Sequence, residues 1–171
     1  MDESNGKVRV VFKNMMVHPQ VVTAAHLAGC AASKQGKFVE FYRAFWDKAF
    51  KPYAEARDPS KLGEEAIMSW AKDIGLDTTK LAADMKTPEC QQRIQADGQE
   101  LGKFHVNATP SFFINGIHVG GALDKDSFKQ IINERLKIAE ASGVTGAEYY
   151  EKEIMGKGEK QFRSKLDPKP H

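Results

Sequence analysis

A chain of 171 residues, 41% hydrophobic and 28% charged, has the length and apolar content to bury the core of one globular domain. A formal net charge of +2 excludes the strongly basic balance that nucleic acid or an anionic membrane would select. The longest apolar run, Val21 to Ala32, is broken by Thr23, His26 and Gly29 and is mostly alanine, so no membrane span is expected.

The start, Met1 to Gly6, is acidic and polar where a signal peptide is basic and then apolar. Residues 1–6 are expected to be disordered, and on its own this start reads as that of a cytoplasmic or processed protein. Lys7-Val8-Arg9-Val10-Val11-Phe12-Lys13 then reads as a strand, β-branched and nearly continuously apolar in its second half. Pro19 opens a helix, where its missing N–H is tolerated. Val21, Val22, Ala25, Ala28 and Ala32 share one face of that helix, and Gly36 ends it. The spacing of Phe38, Phe41, Tyr42, Phe45 and Trp46 predicts a second helix from about Lys37 to Phe50 with an aromatic stripe directed into the core.

Lys51 to Ser60, with Pro52 and Pro59, reads as a loop. A third helix carries Leu62, Ala66, Ile67, Trp70, Ala71 and Ile74 and stops at Gly75. Asp77 caps a short helix through Met85, and Thr87-Pro88-Glu89 starts another with Cys90, Ile94 and Leu101 along one side. Thr109 to Ile114 is a short strand, apolar on both faces at its end and therefore expected to be central in a sheet. Asn115-Gly116 predicts a type I′ turn into Ile117-His118-Val119. Asp124 caps a long helix to about Ala141, with Leu123 and Phe128 as a hydrophobic staple and Phe128, Ile131, Ile132, Leu136 and Ala139 as its buried face. Residues 142–171 are expected to hold a short helix, Thr145 to Met155, and a basic tail with Pro168 and Pro170.

Cys30 and Cys90 lie too far apart in sequence for a Cys-X-X-Cys motif. They are two buried thiols or one structural disulfide, with a redox couple the weakest reading. His26 and Cys30, at i and i+4, would need two more ligands from Cys90, His105 or His118 to hold zinc, so no metal is expected. No cofactor is expected.

Two stretches resemble the DsbA family of disulfide oxidoreductases. One is Gly6 to Asn14 with His18-Pro19 and Gln35-Gly36-Lys37-Phe38. The other is Ala108-Thr109-Pro110-Ser111-Phe112-Phe113-Ile114-Asn115-Gly116, ending in Gly120-Gly121-Ala122. The resemblance runs from about Gly6 to Leu136. It implies an α/β, thioredoxin-like (DsbA-type) fold with a large helical insertion at about 19–105, filling residues 7–141. The sheet would be mixed, with a C-terminal hairpin and helix. It further implies that Pro110 is a cis-proline and that Thr109 and Pro110 form the substrate-docking loop.

The departure from the family is that a strand and a Cys-X-X-Cys helix should precede Val8, and Met1 to Gly6 cannot supply them. The domain is therefore expected to be N-terminally incomplete, with no catalytic residue in this chain. By the resemblance its partners are cysteine-containing proteins or peptides and a redox partner protein, its compartment is periplasmic or extracytoplasmic, and the incomplete sheet offers a route to self-association. A redox-inactive thioredoxin-like peptide-binding module and a relative of kappa-class glutathione transferases are the alternatives.

Overall fold

The computed structural model describes residues 6–144, 146–155 and 157. The expected disordered start therefore lies outside the described residues except for Gly6, and so does the basic tail apart from Lys157. The chain forms two compact units: Lys13–Gln99, and a second made of Met1–Phe12 with Glu100–His171.

The unit Lys13–Gln99 is helical. Helix α1 (Pro19–Lys34) begins with proline in its first turn. Helix α2 (Phe38–Phe45) runs through a π turn, Trp46–Phe50, into α3 (Lys51–Ala56). A 3-10 turn, Pro59–Leu62, leads to α4 (Glu64–Ala71), which tightens to 3-10 geometry at Lys72–Ile74 and ends on Gly75 at φ 78°. Helix α5 (Thr78–Met85) starts where the Asp77 carboxylate accepts the Lys80 N–H at 2.9 Å, satisfying one of the donors a helix start leaves free. Helix α6 (Pro88–Lys103) begins in this unit.

Ala25, Ala28, Ala31 and Ala32 of α1 let Phe41, Ile67, Trp70, Leu76, Leu81 and Met85 pack close to its backbone. Leu62, Ile67 and Leu81 are fully enclosed, each burial stabilising by about 1.5–3 kcal/mol. Among the described residues every buried apolar side chain lies between Ala25 and Ile94.

Two helical expectations are corrected here. Lys51–Ala56 is helix rather than loop, because Pro52 falls in the first turn of α3, where no N–H is required. The aromatic stripe also divides. Phe41 is core and Phe45 packs against it, but Tyr42 and Trp46 on the neighbouring row are 41% and 40% exposed. Two adjacent rows of a helix span a wider arc than one packing face can cover. The exposed row is held instead by ring contacts, Tyr42 to Trp46 at 6.2 Å and Trp46 to Phe50 at 4.4 Å.

The other unit carries the sheet. Strands β1 (Ser111–Ile114) and β2 (Ile117–Gly120) pair antiparallel, with Ile114 opposite Ile117 and Ser111 opposite Gly120. Asn115 and Gly116 sit at φ 47° and 77°, the left-handed pair that a two-residue turn of this type requires. Helix α7 (Lys125–Ala141) starts at Asp124, whose carboxylate accepts the Ser127 N–H at 2.9 Å. Helix α8 (Gly146–Tyr149) passes into a π turn, Tyr150–Met155.

Here the departures from expectation are larger. Residues 7–13 form no strand and join no ladder, and among the described residues the sheet has only β1 and β2. A strand is made by its partner's hydrogen bonds, and β-propensity alone does not hold one in water. Val10 and Val11 of this segment are 65% and 61% exposed, while Lys7 is tied to Glu140 of α7 at 2.6 Å. The strand expected to be central, β1, pairs among the described residues with β2 alone. Phe128, Ile131, Ile132, Leu136 and Ala139 of α7 are partly buried, none of them fully enclosed, and Leu123 is 37% exposed.

Candidate functional site

The corner that precedes β1 carries Thr109 and Pro110. The Thr109–Pro110 peptide bond is cis, and both residues are exposed. Proline brings no N–H to the ladder, but its carbonyl accepts the Gly121 N–H at 3.0 Å, which extends the hairpin by one pairing past Ser111 and Gly120. Ser111 Oγ donates to the Ala108 carbonyl at 2.7 Å, so the corner is braced on both sides of the proline. Phe112 packs on Phe128 of α7 at 4.7 Å between ring centroids, and Phe113, on the opposite face, packs on Phe104 at 5.4 Å and His118 at 5.2 Å. Aromatic rings on both faces thus fix β1 under a solvent-facing corner.

Cys30 of α1 and Cys90 of α6 are bonded to each other, with S–S 2.06 Å and Cα–Cα 5.7 Å. Cys90 has no exposed surface and Cys30 is 8% exposed. The sulfurs point into the helical unit, so a thiolate of another molecule has no line of approach. The bond also removes both sulfurs as thiolate ligands, and among the described residues no group of three or more His, Cys, Asp or Glu is placed to hold a metal ion.

Missed in the sequence is a polar cluster around Asp97 of α6. This carboxylate is 6% exposed and accepts the Asn14 N–H at 3.0 Å and the Asn14 side-chain amide at 2.7 Å. Lys13 Nζ lies 3.3 Å from its other oxygen. Asn14 Oδ1 in turn accepts from His26 Nδ1 of α1 at 2.9 Å. Burial holds the His26 imidazole below its ordinary pKa of 6.5, because the protonated ring would lose hydration. The signal was available: Cys90, Ile94, Asp97 and Leu101 share one face of α6, and a carboxylate in an apolar stripe needs partners.

A hairpin headed by a proline corner, a helix against one of its faces and a large helical segment ahead of it define a thioredoxin-like α/β fold with a helical insertion. A family model described as Thioredoxin matches residues 2–134. The match covers most of the chain, which belongs to this thioredoxin family. The Na(+)/H(+) antiporter NhaA of Herminiimonas arsenicoxydans is similar to it, 28% identical over 117 residues that make up 68% of this chain and 17% of the antiporter. The chain thus spans about a sixth of that curated relative's length. No solved structure matches. Among the described residues no helix is long and apolar enough to cross a membrane.

Proposed function

We propose that this chain is the docking and scaffold portion of a DsbA-like thiol-disulfide oxidoreductase that exchanges disulfides with cysteine-containing protein substrates. The observation that carries the reading is the exposed Thr109-Pro110 corner at the head of an apolar strand. An extended peptide laid beside such a corner is held by main-chain pairing, which tolerates many side-chain sequences. Membership of the thioredoxin family supports a redox role for this corner.

The exchanging cysteines are assigned to a Cys-X-X-Cys pair upstream of Val8, at the N-terminus of a helix whose dipole and free N–H groups favour thiolate. One thiolate attacks a substrate sulfur to give a mixed disulfide. The second cysteine of the pair then displaces the substrate thiolate and closes the motif's own disulfide, so that the substrate is reduced; substrate oxidation is the reverse sequence. Cys30–Cys90 is assigned a structural role, since both sulfurs are buried. A disulfide of this kind fits an oxidising, extracytoplasmic compartment such as the periplasm. Ion transport, named for the antiporter relative, is no part of the reading.

A redox-inactive peptide-binding module is the second reading, favoured by the burial of the disulfide that the described residues contain. The reading frame upstream of Met1 separates the two. An in-frame Cys-X-X-Cys about 30 residues before Val8 is expected, because a strand with its crossover helix needs about that length. A protein carrying that pair should reduce insulin with dithiothreitol as electron donor, and a frame without the motif overturns the oxidoreductase reading. Docking is tested separately by titrating a cysteine-containing extended peptide into isotope-labelled protein. The amide signals of Thr109 and Ser111 should move, and shifts confined to other segments would remove the docking assignment.

A further inference from the structure

The segment ahead of α1 touches that helix at two points with different chemistry. Asn14 meets His26, and Met16 Sδ lies 3.7 Å from Thr23 Oγ1. Thr23 and His26 are three residues apart on α1, so they are neighbours on its surface, with Cβ atoms about 5–6 Å apart. A thioether and an imidazole are thereby brought to one strip of the helix.

The lone pairs of both groups are uncommitted. Thr23 has one hydroxyl proton, and its bond to the Pro19 carbonyl at 2.5 Å uses it. The sulfur therefore rests against the hydroxyl without spending a lone pair. At His26 the Asn14 carbonyl oxygen accepts from Nδ1, so the ring's lone pair sits on Nε2. Among the described residues Nε2 has no hydrogen-bond partner and is not enclosed. Burial of the rest of the ring favours its neutral form, and Met16 is 39% exposed.

The ring is also held as metal-binding imidazoles are held. Such a ligand donates its other N–H to a supporting acceptor, which fixes the tautomer and the orientation of the ring. Here the acceptor is Asn14 Oδ1, and Asn14 is fixed in turn by its two bonds to Asp97. The Lys13 ammonium, 3.3 Å from that carboxylate, balances its charge. Both cysteines are in the disulfide, and among the described residues no group of three or more His, Cys, Asp or Glu is placed to hold a metal ion. A zinc or calcium cage is thus not what these donors build. Thioether with imidazole selects a soft ion.

We propose that Met16 Sδ and His26 Nε2 form a surface site on α1 for a soft monovalent metal ion of the copper(I) type. Two neutral donors suit such an ion, which accepts low coordination numbers and needs no carboxylate. The proposal does not depend on the oxidoreductase reading, since it uses only residues of the helical unit.

The test uses silver(I), a redox-inert ion of the same charge and softness, titrated as the nitrate into the intact chain with its disulfide in place. Methyl-labelled methionine and nitrogen-labelled histidine report the ligands by nuclear magnetic resonance. The Met16 methyl and His26 Nε2 signals should move together and saturate at a single equivalent. Met155, 53% exposed against 39% for Met16, should move only at higher silver, because exposure alone does not supply a second donor. Met16→Leu and His26→Gln should each weaken binding about tenfold or more, the scale on which metal sites respond even to loss of a supporting partner. Met16 is exposed, so the circular dichroism spectrum of Met16→Leu should match the parent. His105→Gln, at an exposed histidine outside the pair, should leave binding unchanged. Met155 moving as early as Met16, or Met16→Leu binding silver as tightly as the parent, overturns the proposal. So does displacement of silver by an equal concentration of zinc(II), which would make His26 an imidazole site with no use for the thioether.

Discussion

Asp97 Oδ2 accepts both the backbone N–H and the side-chain amide of Asn14, at 3.0 and 2.7 Å, across 83 positions of sequence. The arrangement joins the segment ahead of α1 to α6. Its carboxylate is nearly enclosed, so removing it takes the acceptor from both Asn14 donors and one contact from the Lys13 ammonium. Asp97→Ala should cost about 3 kcal/mol, the scale for stranding one side of a buried charged hydrogen-bond set. Asp97→Asn keeps one acceptor and should cost less. Urea melts of the two variants beside the parent check the order, and equal stability of all three would remove Asp97 from the scaffold.

His26 is the third member of that cluster and gives it a pH dependence. Because the Asn14 amide donates to Asp97, Asn14 Oδ1 must accept, and His26 holds its proton on Nδ1. Burial depresses the folded-state pKa below 6.5, so the unfolded chain binds the second proton more readily. The His26 contribution is therefore complete above the unfolded pKa. It declines as pH falls through 6.5 toward the lower folded value, and it is constant below both. Melts between about pH 5 and pH 8 should show a smaller loss of stability on acidification for His26→Gln than for the parent. A steeper loss in the variant would contradict the sign.

Stability should be unequal between the two units. Leu81 is fully enclosed, and Leu81→Ala should cost between about 2 and 5 kcal/mol. Ile131 of α7 is partly buried rather than enclosed, so Ile131→Ala should cost less than Leu81→Ala, about 1–2 kcal/mol. Native-state hydrogen exchange should accordingly protect amides of α1, α4 and α5 more strongly than those of β1 and β2. The reverse order would show that the hairpin unit holds more of the folding energy than its burial suggests.

What could be read in the sequence was local. Pro19, Asp77 and Asp124 mark helix starts, Gly75 a helix stop and Asn115-Gly116 a turn, and each acts through atoms within a few residues of itself. What could not be read depends on distant partners. Lys7–Lys13 has the composition of a strand but meets no ladder, and strand formation is settled by a neighbour that the segment does not encode. The π turn at Trp46–Phe50 escaped because α and π periods diverge by less than one residue per turn over so short a run. The candidate corner at Thr109-Pro110 was identified through a family pattern. Asp97 lies in no motif, and its one sequence signal is its place on the face of α6 that carries Cys90, Ile94 and Leu101.

The Cys30–Cys90 bond supplies a further prediction. It closes a loop with a sequence separation of 60 and ties α1 to α6, on opposite flanks of the segment that contains α2 to α5. Cross-linking so long a loop removes conformations mainly from the unfolded chain, a stabilisation of roughly 4 kcal/mol in the chain-entropy model. Both sulfurs are buried, so the folded protein should resist reduction by glutathione and should yield to dithiothreitol mainly when denatured. The double variant Cys30→Ala, Cys90→Ala separates the effect of the cross-link from that of leaving two thiols in place. It should lower the urea midpoint and leave the far-ultraviolet spectrum helical, since the contacts of Phe41, Ile67 and Leu81 remain. If instead a substrate dithiol quickly reduces the bond in the native protein and is itself oxidised to a disulfide, the structural assignment fails. Cys30 and Cys90 would then take the redox role assigned to an upstream pair.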